Sequence, residues 1–238
     1  MNYFHYQDNK LWCEEVPVTD IAREIGTPFY LYSYRTLKHH FNVFDQSFAA
    51  VPHLICFAVK ANSNIALLRA FVKEGGGVDI VSGGELYRAL AAGADPRKIV
   101  YSGVGKRDDE IEYALRSNIL MFNVESTQEL ERINACAGGM GLKAGIAIRV
   151  NPDVDPETHP YISTGLKENK FGINLERSLH EYKLALRLPH LDIRGVSCHI
   201  GSQLTKISPF VDALGRLKKL IRLLQKEACR YLNPCLHN

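Results

Sequence analysis

The sequence predicts an α/β fold in which helices connect the strands of a parallel sheet. Short apolar segments alternate with amphipathic segments along residues 53–227, giving six strand–helix units. Short connections between such units are typical of parallel strands joined by helical crossovers. Repeating units of this length favour a (β/α)8 barrel over a doubly wound sheet. A complete barrel has eight strands, so the predicted barrel is incomplete.

Ahead of the repeat, the sequence predicts a helix at 19–25 ended by Gly26, a strand-like aromatic run at 29–33 and an amphipathic helix at 34–48. The strands of the repeat are predicted at 53–59, 77–81, 98–102, 119–124, 143–150 and 193–200. The helices that follow them are predicted at 64–74, 84–92, 108–117, 126–137, 175–187 and 209–227. A long loop, 151–172, separates the fifth strand from its helix.

Lys60 directly follows the first strand of the repeat. That strand, 53–59, contains an almost unbroken apolar run, which is typical of a strand buried on both faces. Desolvation lowers the pKa of a lysine, and a neutral amine at the end of a buried strand can attack a carbonyl group. A lysine that extends its ammonium group into solvent is the commoner case. Lys60 alone does not decide between the two interpretations.

Reactive residue types follow the carboxyl ends of all six strands. They are Lys60, Asp79, Ser82, Glu85, Ser102, Asn123, Glu125, Arg149, Asn151, His199 and Ser202. In a barrel these ends share one rim, and titratable groups that converge there indicate a functional site. Each residue alone has a structural explanation: Asp79 could cap a loop, Arg149 could form an ion pair, and His199 could be a satisfied core histidine.

Composition argues against several classes of protein. The net charge is +3 and the chain has no Lys/Arg cluster interleaved with aromatic residues, so no nucleic-acid partner is expected. No apolar stretch reaches membrane-spanning length, and the start of the chain lacks a signal-peptide pattern. The six cysteines are scattered without metal-ligand spacing, so we expect a reduced, cytoplasmic protein with no metal site.

Two loops contain motifs that suggest a ligand but are interpreted as structural. The GVGK segment at 103–106 follows a strand but lacks the full P-loop pattern, so we expect a βα loop with Asp108 as the helix N-cap. The acidic residues of 153–159 lack the glycine and the terminal glutamate of an EF-hand, which favours solvated loop acids over a cation site.

Four segments together resemble the diaminopimelate decarboxylases, which are barrel-type pyridoxal-phosphate decarboxylases. They are FAVKAN (57–62), VDIVSGGEL (78–86), RVNPDVDPETHPYISTGLKENKFGI (149–173) and CHIGSQL (198–204). The lysine and histidine motifs are shared with ornithine and arginine decarboxylases, whereas the loop at 151–173 and Gln203 are more similar to the diaminopimelate branch. The resemblance implies a barrel of the alanine racemase type, pyridoxal 5'-phosphate as cofactor, and decarboxylation of meso-2,6-diaminopimelate to L-lysine.

The resemblance also implies roles for individual residues. Lys60 and His199 would be catalytic: Lys60 would bond to the aldehyde carbon of the cofactor, and His199 would lie against a face of its ring. The other implied cofactor contacts are Asp79, Ser82, Arg149 and Ser202. The implied substrate contacts are Lys170, Phe171 and Gly172.

The resemblance covers only the first part of the family's pattern, because family chains are nearly twice as long. Residues 1–33 would pack with a C-terminal β-domain that has no counterpart here, residues 34–228 would form the partial barrel, and 229–238 form a divergent tail. Strands 7 and 8, whose loops commonly hold the phosphate in barrels, also lack counterparts. We therefore expect a truncated copy of the enzyme that decarboxylates poorly or not at all.

Two alternatives for the function remain open from the sequence. The chain could be an ornithine- or arginine-type decarboxylase of the same fold. It could be a non-catalytic remnant that binds pyridoxal phosphate. The family forms homodimers, but the sequence does not decide the oligomeric state of this chain.

Overall fold

The chain forms a small antiparallel sheet followed by a larger parallel sheet with helices between its strands. The structure, a computed structural model, describes residues 2–154, 171–202, 204–227 and 233–234. The small sheet contains β1 (Phe4–Gln7), β2 (Lys10–Cys13) and β3 (Val16–Pro17). Two helices, α1 (Val18–Ile25) and α2 (Tyr34–Ser47), follow it along the chain.

The larger sheet follows the predicted alternation. Its strands are β4 (Cys56–Ala58), β5 (Gly77–Ile80), β6 (Ile99–Tyr101), β7 (Met121–Val124), β8 (Ala144–Asn151), β9 (Ile173–Asn174), β10 (Leu191–Ser197) and β11 (Asn233–Pro234). Its helices are α3 (Ile65–Lys73), α4 (Gly83–Ala91), α5 (Asp108–Arg116), α6 (Thr127–Gly139), α7 (Leu175–Ala185) and α8 (Ser208–Glu227). The strands are parallel and lie in the order β4, β5, β6, β7, β8, β10, β11, with β9 paired to β8. Since strands adjacent in this order also follow one another along the chain, apart from β9, the predicted incomplete barrel is confirmed.

The structure corrects several predictions in the first half of the chain. The strand predicted at 53–59 is reduced to β4, whose three residues are half-buried rather than buried. Among the described strands β4 pairs only with β5, so it lies at an edge of the sheet. The aromatic run at 29–33 forms no strand, and its Tyr30 is 90% exposed. Arg107 takes the N-cap position of α5, and Asp108 is the first helical residue.

The hydrophobic core lies on the helix-facing side of the parallel sheet. Side chains alternate between the two faces of a strand, and those on the outer face pack in one cluster with the helices. Its fully buried strand residues include Val78, Ile80, Ile99, Phe122, Val124, Ile146 and Ile148. On the inner face, Val100, Met121 and Ala147 form a separate small cluster. The inner face of the sheet is therefore the side on which the interior of the partial barrel lies.

Gly77 on β5 has no space for a side chain. A Cβ atom there would overlap the carbonyl oxygen of Lys98 and lie 3.0 Å from the sulfur of Cys56. The Lys98 carbonyl directly precedes β6 and cannot move without shifting that strand. We therefore expect Gly77→Ala to lower the free energy of unfolding by about 3 kcal/mol, the upper end of the usual overpacking cost. The matched control is Gly215→Ala on α8, where a Cβ would meet nothing within 4 Å.

Chemical denaturation of both variants tests this expectation. Gly215→Ala should raise the free energy of unfolding by roughly 0.5–1 kcal/mol, because alanine is the better helix former. Equal effects of the two substitutions would contradict the close approach of β5 to the Lys98 carbonyl.

Candidate functional site

Polar side chains occupy the inner face of the sheet toward the carboxyl ends of its strands. Asp79 on β5 pairs in register with Val100, and Asn123 on β7 pairs with Ala147. Both polar residues therefore share the face of the small inner cluster. Arg149 lies two residues beyond Ala147 on β8 and so points to the same face. The inner rim predicted from the sequence is confirmed for these residues.

Lys60 lies at the same end of the sheet. It follows β4 within a short 3-10 turn, Val59–Ala61, and the last residue of β4, Ala58, pairs with Asp79. Burial raises the pKa of Asp79 and of Glu85, and the positive charge of Lys60 opposes that rise at both carboxyls. Lys60 is exposed. Of the two interpretations of Lys60, the structure therefore shows the solvent-exposed side chain, because β4 is an edge strand among the described strands.

Asp79 is held by a hydrogen bond from the neighbouring strand. The Ser102 hydroxyl donates to Asp79 Oδ1 over 2.6 Å, and Asn123 Nδ2 donates to Ser102 Oγ over 2.8 Å. Burial raises the pKa of Asp79, and the Ser102 hydrogen bond together with the positive charges of Lys60, Lys106 and Arg149 opposes that rise. The Asp79 carboxyl thus accepts one hydrogen bond from a hydroxyl and is influenced by three positive charges.

Arg149 forms the ion pair that its sequence position allowed. Its Nη1 lies 2.8 Å from Glu125 Oε1, and the two side chains are only 13% and 3% exposed. The Phe171 ring lies over the guanidinium carbon at 5.8 Å, within cation–π range. Gly172 has φ +78°, and a Cβ there would approach the Arg149 carbonyl oxygen to 3.0 Å. Two of the three expected substrate residues thus pack on Arg149, whereas Lys170 lies outside the described residues.

Ser82 and Glu85 form the start of α4. Ser82 Oγ accepts a hydrogen bond from the Glu85 backbone N–H over 3.2 Å, and Glu85 Oε2 accepts from the Val81 N–H over 2.7 Å. Ser82 is thus the N-cap of α4, and the Glu85 side chain reaches back to the backbone of the residue before it. Ser82 therefore caps a helix in the structure, and a contact with the cofactor stays a prediction.

His199 and Ser202 follow β10 at the same rim. Ser197, the last residue of β10, pairs in register with Arg149, and His199 lies two residues further on and is half-buried. Burial raises the pKa of the Cys198 thiol to about 11, and the positive charge of Arg149 opposes that rise. Ser202 is exposed. His199 and Lys60 thus follow the carboxyl ends of their strands, as predicted.

Sequence reasoning missed one buried ion pair beside the rim. Lys106, in the GVGK loop, forms an ion pair with Glu129, and the side chains are 1% and 10% exposed. Its ammonium also donates to the Gly103 and Asn123 carbonyl oxygens over 2.7 and 2.9 Å. The segment 103–106 is the loop between β6 and α5, as predicted from the sequence. A lysine placed shortly after a strand, with a glutamate in the first turn of the next helix, was the available signal.

Five of the eight buried side-chain polar atoms that lack a partner among the described residues lie at this rim. They are Asn123 Oδ1, Glu125 Oε2, Arg149 Nε, Asn151 Nδ2 and Asn151 Oδ1. Buried polar groups are normally hydrogen-bonded, so the rim fits a polar ligand with both donor and acceptor groups. The cations Lys60 and Arg149 suit a ligand with negative charge, and the exposed Lys60 amine is accessible to an aldehyde. This donor set fits pyridoxal phosphate.

Two other properties bear on function. Within the described residues, no group of three or more His, Cys, Asp or Glu side chains is arranged to hold a metal ion. Across the same parts of the chain, none of the helices has the length and apolar character needed to span a membrane.

Comparisons with known proteins agree with this geometry. The family model described as "Pyridoxal-dependent decarboxylase, pyridoxal binding domain" matches residues 34–231. The diaminopimelate decarboxylase of Vibrio cholerae is 56% identical over 228 residues, covering 95% of this chain and 55% of the relative. That of Haemophilus influenzae is 55% identical over 227 residues, covering 95% of this chain and 55% of the relative.

A solved structure gives the same result. The diaminopimelate decarboxylase of M. jannaschii in co-complex with L-lysine superposes with a TM-score of 0.91 at 37% identity, covering 98% of this chain and 56% of that one. The chain therefore spans about half the length of the curated relatives it matches. The chain belongs to the pyridoxal-dependent decarboxylase family and contains the region that corresponds to its pyridoxal-binding domain.

Proposed function

We propose that this chain binds pyridoxal phosphate at the carboxyl ends of its parallel strands and provides the cofactor-binding half of a diaminopimelate decarboxylase. The observation that carries the proposal is that the charges of Lys60 and Arg149 both act on the Asp79 carboxyl, in a chain 56% identical to such an enzyme. The substrate is meso-2,6-diaminopimelate and the product is L-lysine.

Bound pyridoxal phosphate supplies an electron sink for the charge left when CO2 departs. The side chains of the protein bind the cofactor and orient it. Lys60 offers the amine that bonds to the cofactor aldehyde, and Asp79 places a carboxyl group beside that amine. Arg149, which forms an ion pair with the buried Glu125 carboxylate, presents a fixed guanidinium group at the rim. A fixed guanidinium can orient a polar ligand without losing further side-chain entropy.

The remaining site residues have weaker support from their contacts. His199 supplies a planar side chain at the end of β10, suited to lie against the cofactor ring. Ser202 and the capping residue Ser82 are proposed as contacts of the cofactor. Phe171 and Gly172, which pack on Arg149, and Lys170 are proposed to lie near the substrate.

A second candidate is a protein that binds the cofactor without decarboxylating. For a polypeptide of these 238 residues alone, the observation that favours it is that β4 has one neighbour among the described strands. Loops after barrel strands 7 and 8 commonly hold phosphate. A polypeptide of these 238 residues alone is therefore expected to form lysine slowly or not at all.

Substrate challenge separates the candidates. The purified 238-residue protein is loaded with pyridoxal phosphate and titrated with meso-diaminopimelate, L-ornithine and L-arginine, while the cofactor spectrum and amine products are recorded. We expect diaminopimelate to change the spectrum at the lowest concentration, with little lysine formed. A stronger response to ornithine or arginine would contradict the substrate assignment. Rapid lysine formation would contradict the expected impairment.

A further inference from the structure

Three residues, two on strands and one just after the strand between them, form one hydrogen-bonded row across the inner face. Asn123 on β7 donates from Nδ2 to Ser102 Oγ over 2.8 Å, and Ser102, just after β6, donates to Asp79 Oδ1 on β5 over 2.6 Å. Asn123 is 1% exposed. Its backbone oxygen also accepts from Lys106, which holds the end of β7 in place. The row therefore rests on a rigid part of the sheet.

The donor and acceptor in each hydrogen bond of the row follow from the single proton of the Ser102 hydroxyl. A serine hydroxyl has one proton to donate and lone pairs to accept with. Because Asn123 Nδ2 donates to the Ser102 oxygen, the single Ser102 proton points to Asp79 Oδ1. That carboxyl oxygen must then be an acceptor. The arrangement favours an ionised Asp79, since hydrogen bonding to the charged form stabilises it.

Charges around Asp79 act in both directions. The positive charges of Lys60 after β4, Lys106 after β6 and Arg149 on β8 favour its ionised form. Burial opposes ionisation, and the Glu85 carboxyl on α4 interacts unfavourably with Asp79. Burial is the largest of these effects, and the Ser102 hydrogen bond is the largest that opposes it.

We propose that Ser102 and Asn123 are positioning residues that act through Asp79, holding its carboxylate ionised and oriented beside Lys60. This role rests on the proposed function, in which a fixed negative charge lies next to the amine that bonds to the cofactor. Asn123 aligns Ser102, and Ser102 aligns Asp79. Neither residue needs to touch substrate or cofactor.

The opposite orientation of the Asn123 amide would require a protonated Asp79, so the two arrangements can be told apart. If the Asn123 amide were reversed, Oδ1 would accept the Ser102 proton, and Asp79 Oδ1 would have to donate to Ser102 in turn. Protonation of Asp79 and reversal of the amide are therefore coupled. Removing the Ser102 hydroxyl should let Asp79 take up a proton at a higher pH.

Carboxyl titration of the protein without cofactor tests this directly. The pH midpoint of Asp79 is followed by NMR of protein carrying 13C-labelled aspartate, with Asp79→Asn used to assign the signal. Ser102→Ala should move the midpoint to higher pH, whereas Ser102→Thr, which keeps a hydroxyl, should restore it. Ser178→Ala is the matched control, because it removes a buried hydroxyl with a 2.6 Å hydrogen bond to a backbone carbonyl. An unchanged midpoint in Ser102→Ala would overturn the proposal.

Unfolding measurements give a second readout. Since the pKa of folded Asp79 lies above its ordinary value, the folded state holds the proton more tightly. The free energy of unfolding therefore falls as pH rises between the unfolded and folded pKa values. Ser102→Ala should extend that fall to higher pH, and it should have no such effect in an Asp79→Asn background. An equal effect in both backgrounds would show a merely structural serine.

A separate experiment measures cofactor binding by the same variants. With pyridoxal phosphate, the pH below which binding is lost should rise in Ser102→Ala and not in Ser178→Ala. A titration shift in the apoprotein together with failure of every variant to bind the cofactor would reject the proposed function and leave the hydrogen-bonded row supported. Cofactor binding with no titration shift would reject the row instead.

Discussion

Replacing Lys60 by alanine is expected to abolish the visible absorbance that pyridoxal phosphate gains when it bonds to this protein. The amine of Lys60 lies at the carboxyl end of β4, beside Asp79, and is accessible to an aldehyde. A covalent cofactor bond needs a nucleophilic amine at that position, and alanine has none. The loss should be complete, because no partial interaction can substitute for the bond.

A second lysine provides the control. Lys143 is also exposed, but it precedes β8 and so lies at the amino ends of the strands. Lys143→Ala should leave the absorbance band unchanged. Circular dichroism of both variants should match the parent protein, since neither side chain is buried. Retention of the full band in Lys60→Ala would contradict the assignment of Lys60.

Replacing Lys106 by methionine is expected to destabilise the fold strongly. Lys106 forms a buried ion pair with Glu129 and hydrogen bonds to two carbonyl oxygens. Removing one partner of a buried pair leaves an uncompensated charge, which typically costs about 3–5 kcal/mol. Chemical denaturation at neutral pH should show a loss of that size. Breaking the largely exposed pair of Arg116 and Glu112 by Arg116→Gln should cost far less.

The loss in Lys106→Met should also depend on pH. Burial raises the pKa of Glu129, and Lys106 opposes that rise. Without the lysine, folded Glu129 holds its proton to a higher pH, so the free energy of unfolding falls as pH rises above the ordinary glutamate value. The defect should therefore be smaller in acid, and Glu129→Gln should partly rescue the variant. A defect that is independent of pH would argue against the ion pair as its cause.

The order of the parallel strands was predictable because each strand is an apolar run bounded by turn residues. The antiparallel sheet β1–β3 is absent from the prediction, although a signal exists. Asp8 and Asn9, between β1 and β2, both have positive φ, at 50° and 56°. These residue types tolerate the left-handed conformation of a two-residue hairpin turn. The alternation of apolar and polar residues on either side of this turn is short, and the turn lacks the glycine that is commoner in such hairpins. These two features hid the hairpin from the sequence analysis.

The candidate site was predictable as a rim but not as a set of contacts. Strand ends alone place Asp79, Arg149 and His199 at one edge of a parallel sheet. Hydrogen-bond partners depend on strand register, and the row through Ser102 and Asn123 requires neighbouring strands aligned to within one residue. The burial of Lys106 depends on the position of α6, which local sequence does not determine. The exposure of Lys60 follows from the edge position of β4.

Mapping the bonded lysine tests the central claim most directly, namely that one amine at the carboxyl ends of the strands holds the cofactor. The 238-residue protein is incubated with pyridoxal phosphate, reduced with borohydride, digested and analysed by mass spectrometry. The account predicts a pyridoxyl group on the peptide containing Lys60, at a far higher level than on any other lysine. Labelling that is spread evenly over exposed lysines, or concentrated on Lys143 at the opposite end of the sheet, would contradict it.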